Sequence, residues 1–110
     1  MAAKAPKPRK ALDDFVEGLR RDGYVVRLDA VMAGRSGVVH RFDMVAERAE
    51  GGGEKKTMVF MKERGMNPVE EMIGLFAMAF DVDAEPCYVV QGSVEERLPK
   101  SYGITFLTSA

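Results

Sequence analysis

Nine consecutive positions, Met72 to Phe80, carry no polar side chain. Asn67 and Pro68 just before them form a helix start, with asparagine as N-cap, proline at the first helical position and Glu70 in the first turn. The helix extends to about Val82. Nine residues make about 2.5 turns, so its apolar surface runs all the way round. One sheet covers only one side of such a helix. The surplus face must meet another helix of the chain or a second copy, and the expectation is a homodimer through helix 68–82.

The other elements follow from periodicity. Leu12, Phe15, Val16 and Leu19 recur at helical spacing over residues 11–22, and Gly23 stands where a left-handed cap would end that helix. Tyr24 to Met32 alternates as a strand, with Val26, Leu28 and Ala30 on one face. Gly34 to Gly37 supplies a hairpin turn before a second strand, Val38 to Glu47. Ala49 to Lys56, with Gly51-Gly52-Gly53, reads as a flexible hairpin end leading to a third strand, Thr57 to Glu63. Cys87 to Gln91 is a fourth strand. Ser93-Val94-Glu95-Glu96 matches a capping box opening a short helix that Pro99 restricts, and Gly103 closes that region before a last strand, Ile104 to Leu107. The expected class is α/β: one domain over residues 11–110, a mixed β-sheet flanked by helices in the order αβββαβαβ.

Residues 1–10 interleave Lys4, Lys7, Arg9 and Lys10 with two prolines and read as a disordered basic tail, either a solubilising extension or an arm that grips nucleic acid. The remaining residues hold 12 Lys and Arg against 17 Asp and Glu, a net −5, which excludes a broad nucleic-acid groove. One local concentration survives: Arg20, Arg21, Arg27, Arg35 and Arg41 against Asp22 and Asp29. A single cysteine, Cys87, permits no internal disulfide. No apolar run reaches the ~20 residues of a membrane helix, and the basic N-terminus has no apolar core behind it. The expectation is a cytoplasmic chain with no membrane partner.

The second strand carries Asp43 among apolar neighbours, and the third ends near Lys62. Burying a carboxylate there costs several kcal/mol unless a partner or metal compensates. Gly34-Arg35-Ser36-Gly37, then His40-Arg41-Phe42-Asp43-Met44-Val45-Ala46, then Met58-Val59-Phe60-Met61-Lys62, and late in the chain Tyr102-Gly103-Ile104, together with the element order, resemble the restriction-endonuclease-like superfamily. The likeness is to its Mrr-like and archaeal Holliday-junction-resolvase-like branches and covers roughly residues 11–107. The resemblance implies an aspartate and a Glu-x-Lys triplet converging on Mg²⁺, with Asp43 as metal ligand and Asp43 and Lys62 as catalytic residues. Strand alternation puts the triplet's acid at position 60, and position 60 is Phe60. Glu63 points to the opposite face from Lys62, and Met78 stands where the family often has a polar or basic residue.

The site is therefore expected to be degenerate, with Asp43 and Lys62 pairing across neighbouring strands. The alternative is a metal site rescued by a second acid, Glu17 on the first helix. Phosphate contacts are expected from Arg35 and Ser36 in the turn, from Arg41 and from Lys62; a solvated turn arginine is the plain alternative for Arg35. His40 falls on the face opposite Asp43, with a backbone partner expected, and the eight methionines fill the core. The functional expectation is a dimeric, DNA-binding, catalytically degenerate domain without a cofactor. Its rivals are an active Mg²⁺-dependent endonuclease and a protein–protein adaptor.

Overall fold

The spacing of Leu12, Phe15, Val16 and Leu19 produces the helix it implies. The computed structural model describes residues 10–65, 67–90 and 104–108. In it β1 (Lys10–Ala11) leads directly into α1 (Leu12–Arg21), followed by β2 (Val25–Ala33), β3 (Val39–Gly51), β4 (Glu54–Lys62), α2 (Pro68–Asp81), β5 (Glu85–Val90) and β6 (Thr105–Thr108). The strands form one mixed sheet in the order β1-β6-β5-β4-β3-β2. β2, β3 and β4 are an antiparallel meander; β4, β5, β6 and β1 run parallel. This is an α/β domain with a helix on each face. The expected helix at Ser93–Glu96 and the Gly103 closure lie outside the described residues.

α1 packs Leu12, Phe15, Val16 and Leu19 on one face of the sheet, against a cluster that includes Met44, Phe60, Val89 and Leu107. Asp13 and Asp14 in its first turn and Arg20 and Arg21 in its last complement the helix dipole. Gly23, at φ +93°, ends it: Gly23 N–H donates to Arg20 C=O and Tyr24 N–H to Leu19 C=O. α2 covers the other face, burying Met72, Leu75 and Ala79 over Val45, Val59 and Tyr88. Its cap is the expected one, because the Asn67 side chain accepts from the N–H groups of Val69 (3.0 Å) and Glu70 (3.3 Å). The described α2 still leaves Ile73, Phe76 and Phe80 exposed on its outer side.

Three expectations are corrected. Lys10 belongs to the sheet, pairing with Leu107, so the domain reaches at least one residue further towards the N-terminus than expected. The glycine-rich hairpin end is shorter than expected: β3 continues to Gly51 and β4 begins at Glu54. Ala30 does not share a face with Val26 and Leu28. The β2–β3 ladder keeps one register but skips the Asp29/Asp43 position, and Asp29 takes a left-handed backbone, φ +50°. Past that point the hairpin turns over, so Val26 packs towards α1 while Ala30 and Met32 pack towards α2. On β3, Met44 and Phe42 likewise belong to opposite faces.

α2 ends in the same two-bond pattern as α1, with Asp83 N–H donating to Phe80 C=O and Ala84 N–H to Ala79 C=O. Here the left-handed residue is Asp83, φ +59°, not glycine. A Cβ in that conformation is disfavoured, so Asp83→Gly should raise unfolding free energy by about 0.5–1 kcal/mol in urea titrations.

Candidate functional site

Asp43 sits where β3 and β4 part. Their ladder ends at the Met44–Phe60 pair, while β4 runs on to Lys62 beside Val89 of β5. The Lys62 N–H has therefore lost the strand carbonyl that would receive it, and the Asp43 carboxylate takes that role at 2.8 Å. The Arg64 guanidinium closes on the same carboxylate, 3.3 Å from each oxygen. About a quarter of the Asp43 side chain (27%) stays exposed.

The expected partner was the Lys62 ammonium; the observed partners are the Lys62 backbone N–H and the Arg64 side chain. Strand direction explains the exchange. An amide in the plane of the sheet points at the neighbouring strand, whereas a side chain stands roughly perpendicular to it. Among the described residues the Lys62 ammonium makes no ion pair.

The parting of the strands opens a cleft of about 340 Å³ between α1 and the sheet. Leu12, Val16, Leu28, Met44, Phe60 and Val89 supply its apolar lining; Asp13, Glu17, Arg20, Asp43 and Lys62 supply its charges. Asp43, Lys62 and Glu17 are thus brought together, as the sequence suggested. Phe60, at position 60 of the expected triplet, is buried and meets Phe15 edge-on with ring centroids 6.2 Å apart. Its ring fills space that a second carboxylate would need.

Magnesium takes oxygen ligands at about 2.0–2.1 Å in octahedral order. Here both oxygens of Asp43 face a guanidinium, one of them also accepts an amide, and Phe60 offers no oxygen. These residues do not fit a Mg²⁺ site, and no group of three or more His, Cys, Asp or Glu placed to hold a metal occurs among the described residues.

Behind the cleft the chain is held a second time. Arg64 N–H and the Tyr88 hydroxyl both donate to Glu71 of α2, each at 2.9 Å. Burial, reinforced by that carboxylate, pushes the Tyr88 phenol well above its ordinary pKa. Segment 62–64 is thus clamped between Asp43 and Glu71.

The turn residues lie elsewhere. Asp81, the last residue of α2, accepts from Ser36 N–H (2.9 Å), the Ser36 hydroxyl (2.6 Å) and His40 Nε2 (2.8 Å). Arg35 N–H donates to the Asp81 carbonyl at 2.9 Å, while the Arg35 guanidinium donates to the Phe80 carbonyl and lies 5.0 Å from the Phe80 ring centre. Gly34 passes so close that a Cβ would fall 1.9 Å from Asp81 Oδ2. Arg35 and Ser36 therefore anchor the hairpin to α2, where a phosphate loop was expected. His40 does face away from Asp43, but its partner is the Asp81 carboxylate, where a backbone group was expected. Arg41 pairs with Asp29 at 2.6 Å in an exposed position two residues along β3 from Asp43. Cys87 is buried, and burial pushes its thiol up to about 12, leaving it unreactive.

Comparison with known proteins yields a fold and nothing finer. No protein-family model matches the chain, and neither does any curated protein. A solved structure, that of the protein of unknown function AF1548, matches with a TM-score of 0.58 at 21% identity over 86% of this chain and 54% of that one. The chain thus spans about half the length of that structure, and the likeness is one of fold.

Sequence reasoning misses Arg64, Asp13 and Asp81, and it marks Arg20 only as part of a local arginine group. Arg64 does carry a usable signal: it is a second cation two residues past Lys62, at the strand end facing Asp43.

Removing the Asp43 carboxylate strands the Lys62 amide and the Arg64 guanidinium. Asp43→Ala should cost about 1–3 kcal/mol in urea unfolding, and Asp43→Asn less, because its amide oxygen still accepts from Lys62 N–H. The three donors, the Ser36 hydroxyl foremost and then His40 and the Ser36 amide, hold the Asp81 carboxyl at about 2, below its ordinary 3.8. A lowered folded-state pKa stabilises fully above the ordinary value and is lost as pH falls through the folded one. The stability gap between wild type and Asp81→Asn should therefore close between about pH 4 and pH 2, as followed by thermal melts across that window.

Proposed function

We infer that this is a nucleic-acid-binding domain of the restriction-endonuclease-like kind, catalytically degenerate and acting on DNA. The observation that carries the reading is the convergence of Asp43 and Lys62 on one cleft while Arg64 holds the aspartate and Phe60 stands where the triplet's acid would be. An arrangement of that kind keeps cations at the cleft and gives up the means of activating water. Lys62 and Arg20, at the cleft, and Arg41, beside it on β3, contact phosphate, and Arg64 joins them once a phosphate oxygen competes with Asp43. Arg35 and Ser36 leave the list of DNA contacts because their anchor at the C-terminal end of α2 holds them away from the cleft. Contacts of this type position the duplex without reading bases. The same reading takes the domain as a homodimer through α2, supported by the exposed Ile73 and Phe80 on a helix whose inner face is already covered.

Among the described residues no helix is long and apolar enough to cross a membrane. The acidic balance of the chain restricts binding to this patch, so affinity should rest on few ion pairs and fall with salt in proportion to their number.

Fluorescence anisotropy with labelled duplex, single-stranded and four-way-junction DNA tests the proposal. Binding is expected at low salt, unaffected by EDTA, and weakened several-fold by Lys62→Ala or Arg20→Ala, with a shallower salt dependence in each variant. No binding to any of the three DNAs at low salt overturns it. Metal-dependent cutting that disappears in Asp43→Ala would replace it with a nuclease reading.

A further inference from the structure

Four positions of α2 share one outer stripe at the spacing three, four, three: Glu70, Ile73, Ala77 and Phe80. All four are exposed, with Ile73 at 47% and Phe80 at 66%. The stripe is apolar along its length and acidic at its N-terminal end. Its C-terminal end has no basic residue of the helix's own. The cation found there comes from the β2–β3 turn, since Arg35 lies over the Phe80 ring.

We propose that a second copy of the chain docks on this stripe with the two α2 helices antiparallel, each Glu70 meeting the partner's Phe80 and Arg35. The inference rests on the dimer reading given above and assigns its geometry. A two-fold axis beside position 75 sets Glu70 opposite Phe80 and Ile73 opposite Ala77, so the large side chain on one helix meets the small one on the other. A parallel pairing would set Glu70 against Glu70 and leave Arg35 against Arg35. Only the antiparallel arrangement is complementary both in size and in charge, and it also opposes the helix dipoles.

Arg35 can serve the partner without leaving α2. Its guanidinium carries five N–H donors, and the bond to the Phe80 carbonyl employs one nitrogen. The hairpin anchor on Asp81 therefore has a second consequence: it fixes an arginine at the end of the stripe where the partner's acid arrives.

Charge exchange separates the antiparallel dimer from a parallel or offset one. Glu70 and Phe80 are ten residues apart, about 15 Å along one helix, so Glu70 and the Arg35 beside Phe80 cannot pair within one protomer. Sedimentation velocity of the full chain over a concentration series should show a monomer–dimer equilibrium. Ala77→Glu, an exposed substitution that suits a helix, should raise the dimer dissociation constant about 30-fold or more by placing charge at the centre of the contact. Glu70→Arg should weaken the dimer by up to about 5-fold, as expected of an exposed pair; Arg35→Glu, which also gives up the bond to the Phe80 carbonyl, should weaken it at least as much, and the double exchange should bind more tightly than Arg35→Glu alone.

A wild-type chain that stays monomeric throughout overturns both the dimer and its geometry, and assigns the stripe to another protein or another part of the chain. A dimer broken by Ala77→Glu but not rescued by the double exchange keeps the dimer and overturns the antiparallel pairing. Circular dichroism of each variant confirms that the fold is intact, and Ile73→Glu repeats the central test with a different side chain.

Discussion

A carboxylate that stands in for a missing strand carbonyl organises the working end of this domain. Where β3 leaves β4, the Lys62 amide would face a gap, and an unpaired amide in such a place costs a large part of a hydrogen bond. Asp43 fills the gap and draws Arg64 onto its other side. The strands can then diverge without leaving that amide unpaired, and the divergence makes the cleft beneath α1. The same interaction that permits a cleft occupies the group that would have held a metal there.

A second carboxylate does the corresponding job on the other face. Asp81 ends α2, where the helix dipole disfavours negative charge, and α2 has no basic residue in its last turn. The β2–β3 hairpin corrects both faults, bringing the Ser36 and His40 donors to the carboxylate and the Arg35 guanidinium to a terminal carbonyl. Residues 34–40 look like a ligand-binding turn because they are rich in donors and glycine. Their ligand is the protein's own helix, and Gly34 is required by the closeness of that approach.

What could be read in advance was local. The Asn67 cap, the Gly23 terminus, the α1 face and the meander all depend on residues within a turn or a strand of one another. Asp43 stands out as a carboxylate among apolar neighbours, and Lys62 comes with the nuclease resemblance. Alternation does not reveal whether a residue offers its side chain or its amide, and that distinction separated the expected ion pair from the observed one. Arg64, 21 positions from Asp43, and Asp81, 41 positions from His40, reach their partners only through the tertiary fold. The face change at Asp29 was hidden for another reason. Nothing in Val25-Val26-Arg27-Leu28-Asp29-Ala30-Val31 departs from a strand pattern, although aspartate is among the residues that tolerate a left-handed backbone. The two described residues of β1 pair with a strand near the far end of the chain and by themselves show no period.

The Asp29 turn-over also bears on whether another strand can add to the sheet. β2 is an outer strand of the sheet, nine residues long, with Val25, Leu28 and Val31 exposed, and such an edge invites another strand to add to it. A left-handed residue in the middle breaks the run of evenly spaced edge groups into two short pieces that face different ways. Arg41 then ties Asp29 in place from the neighbouring strand. An incoming strand could follow only half of β2 before losing register with it. The other edge is formed by β1, of which Lys10 and Ala11 are described. Among the described residues the outer stripe of α2 differs from these edges: it is an extended apolar surface with an acid at one end and Arg35 at the other.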